Sequence, residues 1–341
     1  MQKILFICGS LNQTTMMHKI SMHLSDRYEC KFTPYYGDKF INYLTNTGLL
    51  DFTVLGGEFK KATLNYLALN KLKIDYYGSE NNYDLVVTCS DLLVPKNIRN
   101  KKIILVQEGM TDPENIFFYL AKYFGFPRYL ASTSTTGLSN AYEAFCVASE
   151  GYKKLFTRKG CNPDKIKVTG IPNFDNCEVY RNNNFEHKDF VLVCTSDARE
   201  TKKYENRKKF ILNAVKIANG RKLIFKLHPN EKFDRAIKEI NKYAPGALVY
   251  TKGNTNEMIA NCNTLITKFS SVVYVGLALG KKVYSDFNVE ELKMMTPIQN
   301  GGTSSANIAS VCEYHINSDT TPEYTPAKKY IIPNIPEYKY L

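Results

Sequence analysis

Short apolar runs alternate along most of the chain with stretches whose apolar positions recur every three to four residues. The runs at 4–8, 85–89, 103–106, 144–148 and 165–169 read as strands bounded by turn residues. A polar turn, Gly9-Ser10-Leu11-Asn12-Gln13, leads from the first of them into a helix reaching about Ser25. Asp112-Pro113-Glu114 predicts a helix start, with a capping Asp, a Pro in the first turn and an acid at the positive end of the dipole. A helix over 150–159 follows the fourth strand. The rhythm then resumes with strands at 190–194, 223–227, 247–250, 264–267 and 282–284. Between and after them, helices are expected over 205–218, 231–243, 255–261, 271–279 and 307–314. Strands separated by helices of this length build parallel sheets covered by helices, so the fold class is α/β.

The stretch 170–188 interrupts this pattern with Pro172, three consecutive asparagines and few apolar residues, and it reads as a linker. Domains are therefore expected over 1–170 and 189–315, with the linker placed at 171–188. Over 316–341, four prolines interleave with tyrosines, which predicts an extended C-terminal arm; a Tyr/Lys membrane contact and a disordered tail are the alternatives.

Length supports two cores: 341 residues is about two domains at ~150 residues each. A hydrophobic fraction of 44% with 23% charged residues excludes a disordered chain, a collagen-like chain and a small disulfide scaffold. No apolar run approaches the ~20 residues that span a bilayer, and the N-terminal apolar stretch is too short for a signal peptide. These features predict a soluble, cytoplasmic protein. The net charge of +12 is spread evenly rather than gathered in a tail. Solvated helix faces account for it, and attraction to anionic lipid at the inner face of the cytoplasmic membrane is the functional alternative. No nucleic-acid motif accompanies the charge. Nine cysteines without a CxxC pair, and five histidines that do not cluster with them, predict reduced, buried thiols and no metal or redox cofactor.

Ligands of open parallel sheets bind beyond the carboxyl ends of the strands, and four such places carry chemistry. Lys226-Leu227-His228-Pro229 ends one strand directly before a helix, bringing Lys226, His228 and the bare amides after Pro229 towards a phosphate; Pro229 as a plain helix start is the alternative. Ser270 and Ser271 precede the helix at 271–279, where they suit an anionic oxygen or simply cap the helix. Thr195, Ser196 and Arg199 follow the strand at 190–194, as phosphate ligands or as a solvated turn. Glu108-Gly109 follows the strand at 103–106; a Glu108 facing the cleft suits a general base, and a loop carboxylate is the bland alternative. Gly9, Ser10 and Asn12 are expected to line the same cleft as Glu108 and Gly109. Anion-binding devices on one domain and a candidate base on the other suit transfer from a phosphate-linked donor to a hydroxyl.

Taken together, these residues resemble the GT-B superfamily of nucleotide-sugar glycosyltransferases, over roughly residues 1–315. The resemblance implies two Rossmann-like domains facing across a cleft, the first for the acceptor and the second for the nucleotide donor. Glu108-Gly109, His228-Pro229 and Ser270-Ser271 look like the acid-Gly, His-Pro and Ser-Ser motifs of bacterial sialyltransferases, polysialyltransferases and Kdo transferases. That implies Glu108 as general base, His228, Ser270 and Ser271 on the donor phosphate, a CMP-sugar donor, and a cell-surface glycan or glycolipid precursor as acceptor. The transfer would be inverting and metal-independent. Gln107 stands where those families carry a first acid, and Val272, Val273, Tyr274 and Val275 stand where many UDP-sugar enzymes place a ribose-binding Glu. CDP-glycerol transferases share the His-Pro and Ser-Ser pattern, so a CDP-polyol phosphotransferase is an alternative. Gln107-Glu108-Gly109 with 112–115 and 167–173 also resembles non-hydrolysing UDP-GlcNAc 2-epimerases, although Asp197-Ala198-Arg199-Glu200 replaces their His-Arg-x-Glu-Asn run. A non-enzymatic α/β nucleotide-binding protein is the remaining reading.

Overall fold

The computed structural model describes residues 1–201, 203–268 and 270–318. The arm expected over 316–341 therefore lies outside the described residues from 319 onward. The chain forms two compact units, one built from 1–175 together with the segment beginning at 300, the other from 176–299.

The first unit holds β1 (Lys3–Cys8), α1 (Leu11–Ser21), β2 (Glu29–Pro34), α2 (Lys39–Asn46), α3 (Gly57–Leu69), β3 (Leu85–Thr88), β4 (Lys102–Val106), α4 (Ile116–Phe124), β5 (Ala144–Val147), α5 (Glu150–Lys159) and β6 (Ile166–Val168). Its six strands are parallel in the order β2-β1-β3-β4-β5-β6. Every residue of β3 and β5 is buried, as strands covered on both faces require. The order reverses between β1 and β3, and this switch point opens at the carboxyl edge of the sheet. Local signals set several helix ends. Ser149 caps α5 by accepting from the Tyr152 amide, and Gly160 ends it in the left-handed region at φ 115°. Helix α4 starts at Ile116, not at Pro113, because the Asn115 side chain accepts from the Phe118 amide at 3.0 Å. Asp112 instead ties down the loop that follows α4, exchanging hydrogen bonds with Thr133.

The second unit holds β7 (Val191–Cys194), α6 (Arg207–Ala218), β8 (Leu223–Lys226), α7 (Phe233–Tyr243), β9 (Leu248–Tyr250), α8 (Thr255–Asn261), β10 (Thr264–Ile266), α9 (Val272–Ala278), β11 (Lys282–Tyr284) and α10 (Val289–Met295). Its parallel order is β11-β10-β7-β8-β9, with the switch point between β7 and β10. Val191, Val193, Phe225 and Ile266 meet Phe210, Ile211 and Ile240 in its core. Gly276 lets α9 lie close on the sheet: a Cβ there would stand 2.6 Å from Leu265 Cδ2 and 3.1 Å from Val283 Cγ2.

Two expectations about domain organisation change. The helix expected at 307–314 is α11 (Ser304–Asn317), and it belongs to the first unit rather than ending the second domain. Gln2 Nε2 donates to Ile316 O, Lys102 Nζ to His315 O and Asn317 Nδ2 to the Tyr28 hydroxyl. Its apolar stripe fits any uncovered sheet face, so periodicity alone could not say which. The linker residues are also built into the units. Ile171 and Asp175 are buried in the first, where Asp175 accepts from the Ser304 amide at 2.8 Å. Burial pushes the Asp175 carboxyl above the usual range. Arg181 donates to Leu279 O and Asn183 accepts from Asn261 within the second.

Eight of the nine cysteines are buried, and burial pushes the thiols of Cys146 and Cys161 up to about 12, so both pack as small apolar groups.

Candidate active site

In the first unit, Glu108 leaves the end of β4 and reaches over the end of β3 to the loop after β1. Ser10 Oγ donates to its Oε1 at 2.7 Å, Asn12 Nδ2 to the same oxygen at 3.3 Å, and Gln13 Nε2 to Oε2 at 2.5 Å. Ser10 also caps α1, accepting from the Gln13 amide at 3.2 Å, so the carboxylate lies at the positive end of that helix. Gly9 makes room for this contact: a Cβ there would fall 2.1 Å from Gln13 Oε1. The Gly9 carbonyl accepts from Thr63 at 2.8 Å, which fixes the turn from below. Cys89, one residue beyond β3, lies beneath; burial, and secondly the Glu108 charge, raise its thiol pKa.

Gln107 has a structural job. Its amide nitrogen donates to Gly109 O at 2.7 Å while its oxygen accepts from the Ala148 amide at 2.9 Å. A carboxylate could not do both. That accounts for a glutamine in the position where the resembled families carry an acid, and it shapes the loop that presents Glu108.

Two contributors to this cluster were not singled out as site residues from the sequence. Asn173 donates to Asn12 Oδ1 at 2.6 Å and to Thr15 Oγ1 at 3.1 Å, and Lys19 donates to Asn173 Oδ1 at 2.9 Å. With Gln13, they hold the two oxygens of Glu108 directly or through Asn12. The only sequence signal for Asn173 was its place in 167–173; nothing local marks Lys19. The three direct partners of Glu108 are neutral donors, and a carboxylate offers about four lone-pair sites. Capacity is left to accept a proton from a substrate hydroxyl.

In the second unit, the ends of β10, β7 and β8 are adjacent, so the loops bearing Ser270 and Ser271, Thr195 and Ser196, and His228 share one edge of the sheet. The Glu231 carboxylate organises the middle of it. It accepts from the Thr195 hydroxyl, from the His228 amide at 3.0 Å and from Arg207 at 2.5 Å. The Glu231 amide in turn donates to His228 O at 3.0 Å, closing a turn over 228–231. A carboxylate folding back three residues onto an amide is a local pattern like a capping box, so Glu231 was legible in principle. Arg207 also meets Glu205 at 2.9 Å and the Ser196 carbonyl at 3.1 Å.

His228 is half-buried, and its Nδ1 accepts from the Asn230 amide at 3.3 Å. That bond selects the tautomer with the proton on Nε2, which is left as a donor. Asp197 stands 3.7 Å from Nδ1 and is held by Asn230 Nδ2 at 3.0 Å. At the end of β10, Thr267 Oγ1 is buried with no hydrogen-bond partner among the described residues. Ser271 does not cap α9 with its side chain.

Several residues expected on phosphate are otherwise engaged. Arg199 forms a two-pronged bond to Glu239 at 2.9 and 3.0 Å. The Lys226 ammonium is buried and donates to the carbonyls of Leu227 and Thr251, and burial lowers its pKa. Thr195 is buried against Glu231. Helix α7 begins at Phe233 rather than directly after Pro229, so its bare amides do not sit at the His-Pro step. Pro229 is exposed in the turn. Ser196, His228, Ser270 and Ser271 are each half-buried at this edge.

No protein-family model and no curated protein sequence matches the chain. Solved structures do. A UDP-N-acetylglucosamine 2-epimerase from Listeria monocytogenes, described as putative, aligns with TM-score 0.57 at 12% identity, over 96% of this chain and 99% of that one. A UDP-GlcNAc 2-epimerase from Neisseria meningitidis, bound to UDP-GlcNAc, aligns with TM-score 0.57 at 12% identity, over 92% of this chain and 100% of that one. The wall teichoic acid polymerase TagF aligns with TM-score 0.51 at 10% identity, over 92% of this chain and 88% of that one. At such identities the likeness speaks to architecture: two Rossmann-like α/β units in the GT-B fold.

Proposed function

We propose that the chain is a glycosyltransferase that moves a sugar from a nucleotide-activated donor to a hydroxyl of a glycan or glycolipid precursor. The observation that carries this reading is Glu108, poised over the switch point of the first unit by three neutral donors. In the reaction, an acceptor oxygen attacks the anomeric carbon, its proton passes to Glu108, and the bond from that carbon to the donor phosphate breaks. His228 Nε2–H, with Ser270 and Ser271, would meet the charge that grows on the departing phosphate oxygens. A CMP-sugar is the favoured donor on motif grounds.

The test is a thermal-shift panel of CMP, CDP, UMP, UDP and GDP. A ligand that binds only the folded state stabilises by RT ln(1 + [L]/Kd), about 2.7 kcal/mol at a hundred times Kd. CMP is expected to give the largest shift, and Glu108→Gln should keep that shift while transfer falls by roughly 10²- to 10⁴-fold. Near-normal transfer by folded Glu108→Gln removes the base. A preference for CDP moves the reading to a polyol phosphotransferase, and no response to any nucleotide removes donor binding.

A second reading, a UDP-GlcNAc 2-epimerase, is favoured by one observation. Asn173, in the segment that resembles those enzymes, hydrogen-bonds the same Asn12 that contacts Glu108. Incubation with UDP-GlcNAc and no acceptor separates the two, since only an epimerase turns over without one.

A further inference from the structure

Helix α4 reads Ile-Phe-Phe-Tyr-Leu-Ala-Lys-Tyr-Phe, and Phe118 is its only buried residue. Phe124 is 74% exposed and Tyr123 66%; Phe117, and Phe126 just beyond the helix, are each nearly half exposed. Positions 117 and 124 lie two turns apart on one face. Helix α2 buries no residue, and its Phe40 and Tyr43 are 69% and 65% exposed. The two helices border one surface: Ile41 of α2 and Phe126 line the same groove of about 420 Å³. Both follow strands at the carboxyl edge of the sheet, the edge that carries Glu108.

Cations accompany the rings. Lys122 Nζ lies 5.4 Å from the centre of the Tyr123 ring, and Arg158, on the neighbouring α5, is largely exposed. Lys39, the first residue of α2, and Lys96, whose amide donates to the α2 cap Asp38, are exposed. The acids among them are engaged: Glu114 with Arg158 and the Tyr119 hydroxyl, Asp38 with Arg99 and the Lys96 amide.

Soluble monomers seldom leave large apolar side chains exposed along so much of one helix without a partner for them. At 1.5 Å per residue α4 is about 13 Å long, far short of the ~30 Å hydrocarbon core, so it can lie in a bilayer surface but not cross it. Among the described residues, no helix is long and apolar enough to cross a membrane. Against a second copy of the chain, cationic surfaces at a net charge of +12 repel; against anionic lipid they attract.

We propose that the α2–α4 face of the first unit seats the protein on an anionic bilayer, with Phe117, Tyr123, Phe124 and Phe126 in the headgroup–acyl boundary and Lys122 and Arg158 at the level of the phosphates. The residues of this surface are other than those of the Tyr-rich arm that the sequence offered as a membrane contact.

The experiment is sedimentation of the full chain with vesicles of mixed phosphatidylglycerol and phosphatidylcholine, against phosphatidylcholine alone. The wild type is expected to sediment with the mixed vesicles, less so as salt is raised. Phe117→Glu with Phe124→Glu should lower partitioning roughly tenfold or more, since two buried aromatic contacts are lost. Lys122→Gln with Arg158→Gln should abolish the preference for anionic vesicles. All of these side chains are exposed, so the variants should melt as the wild type does, and their nucleotide response, a separate readout, should be unchanged. Failure of the wild type to bind mixed vesicles overturns the proposal, as does undiminished binding by the double Glu variant. So would light scattering that shows a vesicle-indifferent dimer which the Glu substitutions turn into monomer, for then the face belongs to a second copy.

Discussion

Glu108 is positioned by side chains whose roles are geometric rather than ionic, and that makes its geometry sensitive to small changes nearby. Gly9→Ala is the sharpest probe. The added methyl collides with the far end of the flexible Gln13 side chain, which can move aside, so the fold should survive while Oε2 loses its donor. Turnover is expected to fall roughly ten- to hundredfold with an unchanged thermal midpoint; normal turnover would deny Gln13 a part in holding the base. Arg207 is a residue of the opposite kind. Its guanidinium is buried between Glu205 and Glu231, and it holds the carboxylate on which the His228 turn is built. Arg207→Ala would strand those buried charges, and chemical denaturation should show a loss of roughly 3–5 kcal/mol from the second unit. A loss below about 1 kcal/mol, the range of a surface pair, would show that the network relaxes around the gap.

At the scale of elements, α11 is where sequence reading and structure part most. The helix was legible but its address was not, because Ile308, Val311, Cys312 and Ile316 make a stripe that any sheet face could cover. What fixes it to the first unit are contacts from distant positions, among them His23 Nε2 to Ser305 Oγ at 3.2 Å. This docking has a pH signature. Burial holds His23 and His315 below the usual histidine range. Between those lowered values and the unfolded value of about 6.5, the unfolded chain binds more protons, so stability is whole above that window and falls as pH drops through it. The thermal midpoint should therefore decline from pH 7 towards pH 5 by this route, and His23→Gln should flatten the decline. A midpoint independent of pH over that interval would contradict the assignment. Of the elements missed altogether in the sequence, α10 follows β11, while β2, α2 and α3 lie in the stretch 29–69, where polar residues break the apolar runs and β2 borrows its place from pairing with β1.

For the molecule as a whole, each parallel sheet brings its chemistry to the carboxyl edge, and the candidate donor groups all belong to one of the two units. Nucleotide binding should therefore leave a localised mark. Hydrogen exchange with CMP present is expected to slow at 195–199, 228–231 and 270–273, with little change in the first unit's sheet. Protection centred instead on the loop after β1 would reverse the assignment of donor and acceptor units.

The amino-acid sequence by itself determined the alternation of strands and helices, and hence the α/β class. It also determined which residues stand at strand ends, because apolar runs and caps act over a few residues and leave their mark locally. Glu108, Ser10, Asn12 and His228 were placed after strand ends in that way. Only the tertiary structure decided that Gln107 braces a loop, that Arg199 and Lys226 are spent on Glu239 and on backbone carbonyls, and that Asn173 and Lys19 stand behind Asn12. A side chain's partner depends on what folding brings within about 3 Å of it, and the groups that settle these roles are distant along the chain: Ala148 for Gln107, Glu239 for Arg199, Thr251 for Lys226 and Asn173 for Asn12.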